Sequence, residues 1–482
     1  MDYNQVKNHF ISGNCGSSVW NINNLALISI NSFLLYSILV KRWKLSVLAQ
    51  SCVLFIPQFL AVTLLYSHLT LFNSCLLAVT ALTAQFHRIP QQHTKHTKHT
   101  KHANSITSFD FDNQSRCNTQ PPSPLPVNSS LQIHLTNKSY ITNYRSYLLF
   151  FTFISILAVD FNVFPKVLSK TESFGTSFMD LGVGSFTLAF GLVDARYHLL
   201  GKYNTRKVLP LVVLAMMRLI SVNVTNYPQH YSEYGTHWNF FLTLAALPLL
   251  AKPLTILNTH TRIQFSWMAI VIGCVFQLVL ALTSLQHWSL NAPRANLLSH
   301  NKEGLVSIVG YLCIYLFGLD IGLYSLPQHP YAYFRNTLAK PVHADQRGKL
   351  LSVLFSYAIL YWCGYGVVRG LNMGVSRRIA NLPYVLWTVA FNTTFLTLFV
   401  LIDLVHFKTP ARQSLAVPGM MGAINSNALA LFLIANVFTG LVNLSMQTIY
   451  AGTVTSLAVL VAYTVTLLSI AWISREKKLL RL

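Results

Sequence analysis

Residues 382–404 read LPYVLWTVAFNTTFLTLFVLIDL, and this stretch decides the class of fold. It contains one ionisable side chain, Asp403, and it is long enough for a helix to cross the hydrocarbon core of a bilayer. A chain that crosses this core must satisfy its backbone hydrogen bonds internally, which a helix does. The stretch therefore predicts a transmembrane helix.

Similar apolar segments occur along most of the chain when it is scanned outward from this stretch with a window of about 20 residues. They lie at 25–40, 45–66, 69–86, 147–164, 178–193, 208–222, 238–254, 265–285, 305–323, 351–367, 382–404, 428–442 and 457–473. The predicted fold class is all-α, a polytopic transmembrane helical bundle of about 13 spans.

Composition supports the same class. Of the 482 residues, 53% are hydrophobic and 10% are charged, whereas an ordinary globular domain carries about 25% charged residues. The 35 Lys and Arg residues outnumber the 13 Asp and Glu residues, an excess that in a soluble protein would suggest a nucleic-acid partner. Here the basic residues flank apolar segments instead of forming one patch, so we predict no nucleic acid.

The distribution of Lys and Arg predicts the orientation of the bundle. With the N-terminus in the lumen, 26 of these residues fall on the cytosolic side and eight on the lumenal side, and Arg218 lies inside a predicted span. Because the cytosolic flanks of membrane helices are enriched in Lys and Arg, this split favours a lumenal N-terminus and a cytosolic C-terminus.

We divide the chain into three regions. Residues 1–86 hold an N-terminal tail and three spans, residues 87–146 form a low-complexity cytosolic loop, and residues 147–482 form a ten-helix region that carries the functional site. The loop repeats HTK over 93–101; its histidines could bind a transition metal, but a solvated repeat also accounts for them. The seven cysteines show no paired CxxC spacing, so we predict no metal site.

The densest polar cluster lies at 160–185, DFNVFPKVLSKTESFGTSFMDLGVGS, in one short lumenal connection and the start of the next span. Ionisable groups at membrane depth are costly, so each of them is a functional candidate. A carboxylate beside an ammonium suits the activation of a hydroxyl and the stabilisation of an oxyanion. A salt bridge that only neutralises two charges would use the same residues. The candidates are Asp160, Lys166, Lys170, Glu172 and Asp180.

A second lumenal patch is TNYPQHYSEYGTHWNFF, residues 225–241, with Glu233, His237 and Asn239. His237 begins a span and could accept a proton near neutral pH. The aromatic residues around it are equally typical of the belt at a membrane interface.

Two further motifs contribute candidates for substrate binding. In VSRRIANLPYVLW, residues 375–387, Arg377 and Arg378 lie on the side that should be poor in bases, where a guanidinium fork could bind phosphate or pair locally with an acid. In NSNALALFLIANVFTGLVN, residues 425–443, Asn427 is a candidate, although amide and small residues also join membrane helices to one another.

The chain contains no GxSxG, HExxH, Walker or GxGxxG motif of the usual kind. It resembles the inositol acyltransferases of glycosylphosphatidylinositol (GPI) anchor biosynthesis. The resemblance is carried, in chain order, by KNHFISGNCGSSVWNIN (7–23), AVDFNVFPK (158–166), ESFGTSFMDLGVGSF (172–186), YSEYGTHWNFF (231–241), NKEGLVSIVGY (301–311) and the two motifs at 375–387 and 425–443.

This resemblance implies a multi-pass enzyme of the endoplasmic reticulum membrane whose motifs face the lumen. It implies transfer of a fatty acyl group, typically palmitoyl from palmitoyl-coenzyme A (CoA), to the 2-hydroxyl of inositol in glucosaminyl-phosphatidylinositol. Acyl-CoA is then a co-substrate, the acceptor is a membrane lipid, and no further cofactor is expected.

On this sequence the resemblance implies Asp160 as the base that takes the hydroxyl proton, with Lys170 as its charged partner and His237 as a reserve base. Arg377 and Arg378 become candidates for the phosphate of the lipid or of CoA. Glu172 and Asp180 would orient the loop or cap helices. We expect direct transfer between two bound substrates, with Ser17 and Ser18 as the alternative if an acyl-enzyme forms.

Two other classes of function remain open at the level of sequence. A lipid or solute transporter would also have many helices and intramembrane acids, but such transporters often show internal repeats, which this chain lacks. A non-catalytic scaffold of the anchor pathway would leave Asp160 and Lys170 without a chemical role.

Overall fold

The computed structural model describes residues 13–85, 138–201, 208–225, 233–338 and 345–480, with only the backbone for 221–225. These ranges form an all-helical bundle without a β-strand, which confirms the predicted fold class. Thirteen helices carry the predicted segments: α1 Val19–Leu39, α2 Val47–Thr63, α3 Leu69–Gln85, α4 Ser139–Ala158, α5 Phe178–Leu199, α6 Val208–Thr225, α7 Phe240–Thr261, α8 Phe265–Leu282, α9 Lys302–Ser325, α10 Arg347–Gly370, α11 Leu382–His406, α12 Ala428–Ser445 and α13 Thr453–Ile473.

Ten helices in the described ranges are long and apolar enough to cross a membrane, which confirms a polytopic membrane protein. The other three are α2 and α6, which have shorter apolar cores, and α4. Helix α4 begins at Ser139, earlier than the predicted span at 147, because its polar first turns are buried against other helices: Asn143 and Ser146 donate hydrogen bonds to the carbonyls of Ala416 and Met421. The count of 13 spans stays a prediction.

Short polar side chains begin several helices. Ser18, Ser177, Asn239 and Asn381 each accept a hydrogen bond from a backbone N–H in the first turn of α1, α5, α7 and α11. Such N-caps satisfy donors that have no partner inside the helix. They explain why the polar motifs of the sequence lie at the starts of spans.

The centre of the bundle is formed by α5, α9 and α11. Helices α5 and α9 approach so closely that a Cβ at Gly191 would lie 2.2 Å from the carbonyl oxygen of Tyr315. Small residues allow this approach, which is the usual basis of helix packing in membranes. Outside this core, α3, α10 and α12 are largely exposed, with apolar side chains such as Leu77, Ile359 and Val437 at the surface. An apolar surface of this extent fits lipid and not water.

The connections between helices gather at two ends of the bundle. The Asp160 end comprises residues 13–18, 64–68, 159–177, 233–239, 283–301, 371–381 and 446–452. The Asp403 end comprises 40–46, 262–264, 326–338, 407–427 and 474–480. The described segments before α1 and after α13 thus lie at opposite ends, as an odd number of spans requires. Which end faces the lumen stays a prediction.

At the Asp403 end, a buried acid joins three helices. The Asp403 carboxylate accepts hydrogen bonds from Ser139 at 2.7 Å and from the Arg347 guanidinium at 2.7 Å. As an ionisable group in a predicted span, Asp403 is a functional candidate from the sequence. Its two oxygens, however, contact the first residues of α4 and α10, and these contacts give it a structural role.

The orientation can be tested with two cysteines of the chain. Cys15 is exposed at the Asp160 end, whereas Cys117 belongs to the predicted cytosolic loop and lies outside the described residues. In sealed microsomes, a membrane-impermeant maleimide should label a variant that retains only Cys117. A variant that retains only Cys15 should be labelled only after detergent is added. The reverse pattern would invert the orientation.

Candidate active site

The connection between α4 and α5 carries most of the predicted site residues. It leaves α4 after Ala158, turns at Pro165 into a short 3₁₀ helix, Lys166–Leu168, and enters α5 at the N-cap Ser177. Lys166 and Glu172 are exposed on it. Because the connection is irregular, its shape depends on contacts with other parts of the Asp160 end.

The N-terminal segment supplies many of these contacts. Asn14 donates hydrogen bonds to the Ser169 carbonyl at 2.6 Å and to the Ser169 hydroxyl at 3.0 Å. The backbone N–H of Gly13 donates a hydrogen bond to the exposed Glu172 carboxylate at 3.3 Å. Gly16 forms a parallel bridge with Thr176. Its φ is +83°, and a Cβ there would lie 2.2 Å from the Thr176 carbonyl oxygen, so only glycine fits.

Lys170 pairs with Glu233 from the connection before α7. The Lys170 ammonium lies 2.6 Å from the Glu233 carboxylate, and the side chains are 34% and 20% exposed. Burial raises the pKa of Glu233, but Lys170, Arg377 and Arg218 outweigh burial and lower this pKa to about 2. Glu233 is therefore a fixed counter-ion near neutral pH and not a base.

Asp180 and Arg377 form a buried ion pair beneath this surface. The Arg377 Nε donates to Asp180 at 2.7 Å, and the side chains are 4% and 1% exposed. The other Asp180 oxygen accepts hydrogen bonds from the Thr171 N–H and hydroxyl. Burial opposes the charge of Arg377, but Asp180 and Glu233 hold its pKa well above the ordinary value. Through Asp180, the start of α5 thus contacts both the connection before it and Arg377.

Asp160 lies just beyond the end of α4 and is 5% exposed. Its carboxylate accepts a hydrogen bond from the Asn443 amide at 2.8 Å. Asn443 belongs to the last turn of α12, so the ends of α4 and α12 meet at this carboxylate. The sequence did not single out this contact, although the alternation of spans places both residues at the same end.

A second buried acid, Glu303, binds two arginines at the same end. Its carboxylate lies 2.6 Å from Arg294 and 2.8 Å from Arg378. Glu303 is in the motif NKEGLVSIVGY, but the sequence analysis gave it no role. Arg378 is therefore committed to a carboxylate, as Arg377 is, which leaves each less available to a phosphate of a substrate.

The remaining predicted residues lie in different settings. His237 is exposed, with its ring centroid 6.3 Å from that of His300. Asn239 is the buried N-cap of α7, and its amide donates to the Ala215 carbonyl. Asn427 lies at the Asp403 end, where it binds the backbone of Ser474, Lys477 and Leu479. Asn427 and Asn443 occupy opposite ends of α12, roughly 25 Å apart, so Asn427 is remote from the other candidates.

A cavity of about 180 Å³ opens beside the Lys170–Glu233 pair. Lys170, Glu233 and Arg218 form its polar end. Ser155 and Ser185 line it with buried hydroxyls that have no hydrogen-bond partner among the described residues. Asp160 is not among its described lining residues. Thr152 and Asn436 add two more polar side chains, and the rest of the wall is mostly apolar and includes Phe151, Phe178, Phe186, Phe391, Phe395 and Phe432. This cavity can hold a hydrocarbon chain with its polar terminus beside an ammonium.

In the described ranges, no three His, Cys, Asp or Glu residues are grouped to hold a metal ion. The arrangement offers instead an ammonium with a carboxylate counter-ion, a buried carboxylate at Asp160, and an apolar cavity. It defines a polytopic α-helical membrane protein with a largely apolar cavity that ends in charged side chains near one end of the bundle.

Comparisons with known proteins identify the family. The family model described as GWT1 matches residues 3–474, and the chain belongs to this family. It is 35% identical to the GPI-anchored wall transfer protein 1 of Gibberella zeae over 512 aligned residues, which cover 97% of this chain and 96% of that protein. The protein of the same name from Aspergillus fumigatus is also 35% identical, with 96% and 95% covered. That of Schizosaccharomyces pombe is 38% identical, with 67% and 69% covered. The resemblance read from the motifs is thereby confirmed.

Proposed function

We propose that this protein acts in GPI-anchor biosynthesis as an acyltransferase of the endoplasmic reticulum membrane. It moves a palmitoyl group from palmitoyl-CoA to the inositol 2-hydroxyl of glucosaminyl-phosphatidylinositol. The names of its relatives support a GPI-related role. The observation that carries the finer proposal is the apolar cavity that ends at Lys170, because a transferable acyl chain needs an apolar site and its carbonyl needs a cation nearby.

The reaction joins an alcohol to a thioester. The inositol oxygen attacks the thioester carbonyl carbon, and Asp160 takes the hydroxyl proton as the C–O bond forms. The C–S bond then breaks, and the leaving sulfur takes from Asp160 the proton that came from the hydroxyl, which releases free CoA and restores the carboxylate. Lys170 stabilises the negative charge on the carbonyl oxygen, and Glu233 holds the ammonium in place.

The phosphate of the lipid acceptor needs a cation that is not already neutralised. Arg377 and Arg378 were the candidates from the sequence, but both are bound to buried carboxylates. Arg218 lines the cavity with Lys170 and also attracts Glu233, but among the described residues it forms no ion pair with a carboxylate within 4.0 Å. We therefore assign the binding of the acceptor phosphate to Arg218. Lys166 and His237 are exposed at the same end of the bundle.

The proposal is tested by supplying both substrates. Microsomes that contain this protein as their only enzyme of this family should convert glucosaminyl-phosphatidylinositol and labelled palmitoyl-CoA into the inositol-acylated lipid. Thin-layer chromatography and mass spectrometry of the product measure the conversion. Absence of the product, with the protein present at normal abundance, would exclude the proposed activity.

Lys170→Gln should lower kcat by about 10²–10³-fold, the usual cost of losing one donor to an oxyanion. The glutamine can still contact Glu233, so the abundance of the protein should change little. Lys349→Gln, at an exposed lysine of the Asp403 end, is the matched control and should retain wild-type kcat. Equal rates for both variants would remove Lys170 from the chemistry.

A further inference from the structure

A basic surface lies at the Asp403 end, where the connection after α1 meets the connection after α11. The two segments, 40–46 and 407–418, read VKRWKLS and FKTPARQSLAVP. Together they contain five Lys and Arg residues and no acid. Four of these residues, which we call the basic cluster, are exposed: Lys41, Lys44, Lys408 and Arg412.

Hydrogen bonds on both sides of the basic cluster hold the two segments together. Just before the cations of each segment, the Ser37 hydroxyl and the His406 Nδ1 are 3.0 Å apart. Just after them, the backbone N–H of Gly419 donates to the side-chain oxygen of Gln50 at 3.3 Å. The cations between these contacts are therefore brought to one surface, although they are more than 360 residues apart in the sequence.

The basic cluster has no counter-ion in the part of the chain that the structure describes. No described carboxylate lies within 4.0 Å of any of its four members. Partial burial and repulsion by Arg412 lower the pKa of Lys41, so like charges lie close together without being neutralised. Arg347 at the same end, in contrast, pairs with both Asp345 and Asp403. A group of cations without an acid favours an anion from outside the chain.

Exposed apolar side chains beside the basic cluster indicate an amphiphilic ligand. Trp43, within the first segment, is 47% exposed, and Leu48, in the first turn of α2, is 76% exposed. Tryptophan is enriched at the depth of lipid headgroups, and an exposed leucine on a membrane helix suits acyl chains. The two segments also follow directly on the ends of α1 and α11. The basic cluster therefore lies at the boundary between headgroups and hydrocarbon.

We propose that the basic cluster binds the headgroup of an anionic phospholipid at the Asp403 end. The phosphate of this lipid lies between Lys41 and Arg412, and its acyl chains lie beside Leu48. With the predicted orientation, this end faces the cytosol, and the cytosolic leaflet is the one that is rich in anionic lipids. The site is at the opposite end of the bundle from Lys170, so its test does not depend on the proposed acyl transfer.

The test measures binding of phosphatidylserine to the purified full chain in micelles of an uncharged detergent, by titration in native mass spectrometry. The wild type should bind phosphatidylserine more tightly than phosphatidylcholine, which has no net charge. In Lys41→Gln/Arg412→Gln, the Kd for phosphatidylserine should rise about tenfold or more, because each cation near an anionic lipid contributes roughly fivefold to affinity. Binding of phosphatidylcholine should stay unchanged, which also shows that the variant is folded.

Two further variants separate a site from diffuse attraction. Lys349→Gln/Lys477→Gln removes two exposed charges from other segments of the same end and should keep the wild-type Kd. Lys41→Arg/Arg412→Lys keeps both charges of the basic cluster and should keep most of the affinity.

Three results would overturn the inference. The first is an unchanged Kd in Lys41→Gln/Arg412→Gln. The second is an equal rise in Lys349→Gln/Lys477→Gln, because the net charge of this end and not a site would then attract the lipid. The third is displacement of phosphatidylserine by an equal concentration of inorganic phosphate, because the cations would then recognise a free anion and not a lipid headgroup.

Discussion

Asp160→Asn is expected to lower the rate of inositol acylation by roughly 10²–10⁴-fold, the range for loss of a general base. The amide of asparagine cannot take the proton of the inositol hydroxyl. Its carbonyl oxygen can still accept the hydrogen bond that Asn443 donates to Asp160, so the ends of α4 and α12 should remain joined. The loss should therefore appear in kcat and not in the amount of folded protein.

The measurement is steady-state acylation in microsomes at saturating concentrations of both substrates, normalised to protein abundance. Asp345→Asn is a matched control, because Asp345 is an exposed carboxylate at the Asp403 end. It should retain wild-type kcat. Asp160→Glu should recover part of the activity if the carboxylate acts as the base. Full activity of Asp160→Asn would show that another group, with His237 as the reserve, takes the proton.

Arg377→Met is expected to destabilise the folded protein by about 3–5 kcal/mol, which is the usual cost of breaking a buried ion pair from one side. The variant leaves the Asp180 carboxylate 1% exposed and without its cation, while Thr171 still donates two hydrogen bonds to it. Because Asp180 fixes the connection that carries Lys170, activity should fall together with stability.

A double-mutant cycle provides the control for this prediction. Arg377→Met/Asp180→Leu removes both charges and should be more stable than Arg377→Met alone, since no uncompensated carboxylate remains. Thermal unfolding in detergent measures the four proteins of the cycle. If the double variant is no more stable than Arg377→Met, the pair does not stabilise the fold by charge compensation.

Hydropathy was sufficient to predict the class of fold and the approximate position of every long helix. A span such as 382–404 is recognisable because nearly every residue must suit lipid or a buried helix face. The start of α4 was placed too late, because its polar face is satisfied by the carbonyls of Ala416 and Met421, far away in sequence. Local hydropathy carries no information about such partners.

The candidate site was predicted as a set of residues and not as a set of pairs. Alternating spans place Asp160, Lys170, Glu233 and Arg377 at one end, but they do not determine which charges meet. Asp160 contacts Asn443, and Lys170 contacts Glu233, 63 residues away. The cavity beside the Lys170–Glu233 pair could not be predicted from the sequence either, because it depends on gaps between helices that only packing defines.

The bridge between Gly16 and Thr176 has a consequence for biosynthesis. The Thr176 hydroxyl donates to the carbonyl of Ser17, a residue that is translated 159 positions earlier. The ribosome must therefore synthesise α1 to α4 and the connection that follows α4 before the N-terminal segment can pair with Thr176. Until then the N-terminal segment has not yet paired with the connection after α4. A bulky fusion placed before Gly13 would hinder this pairing.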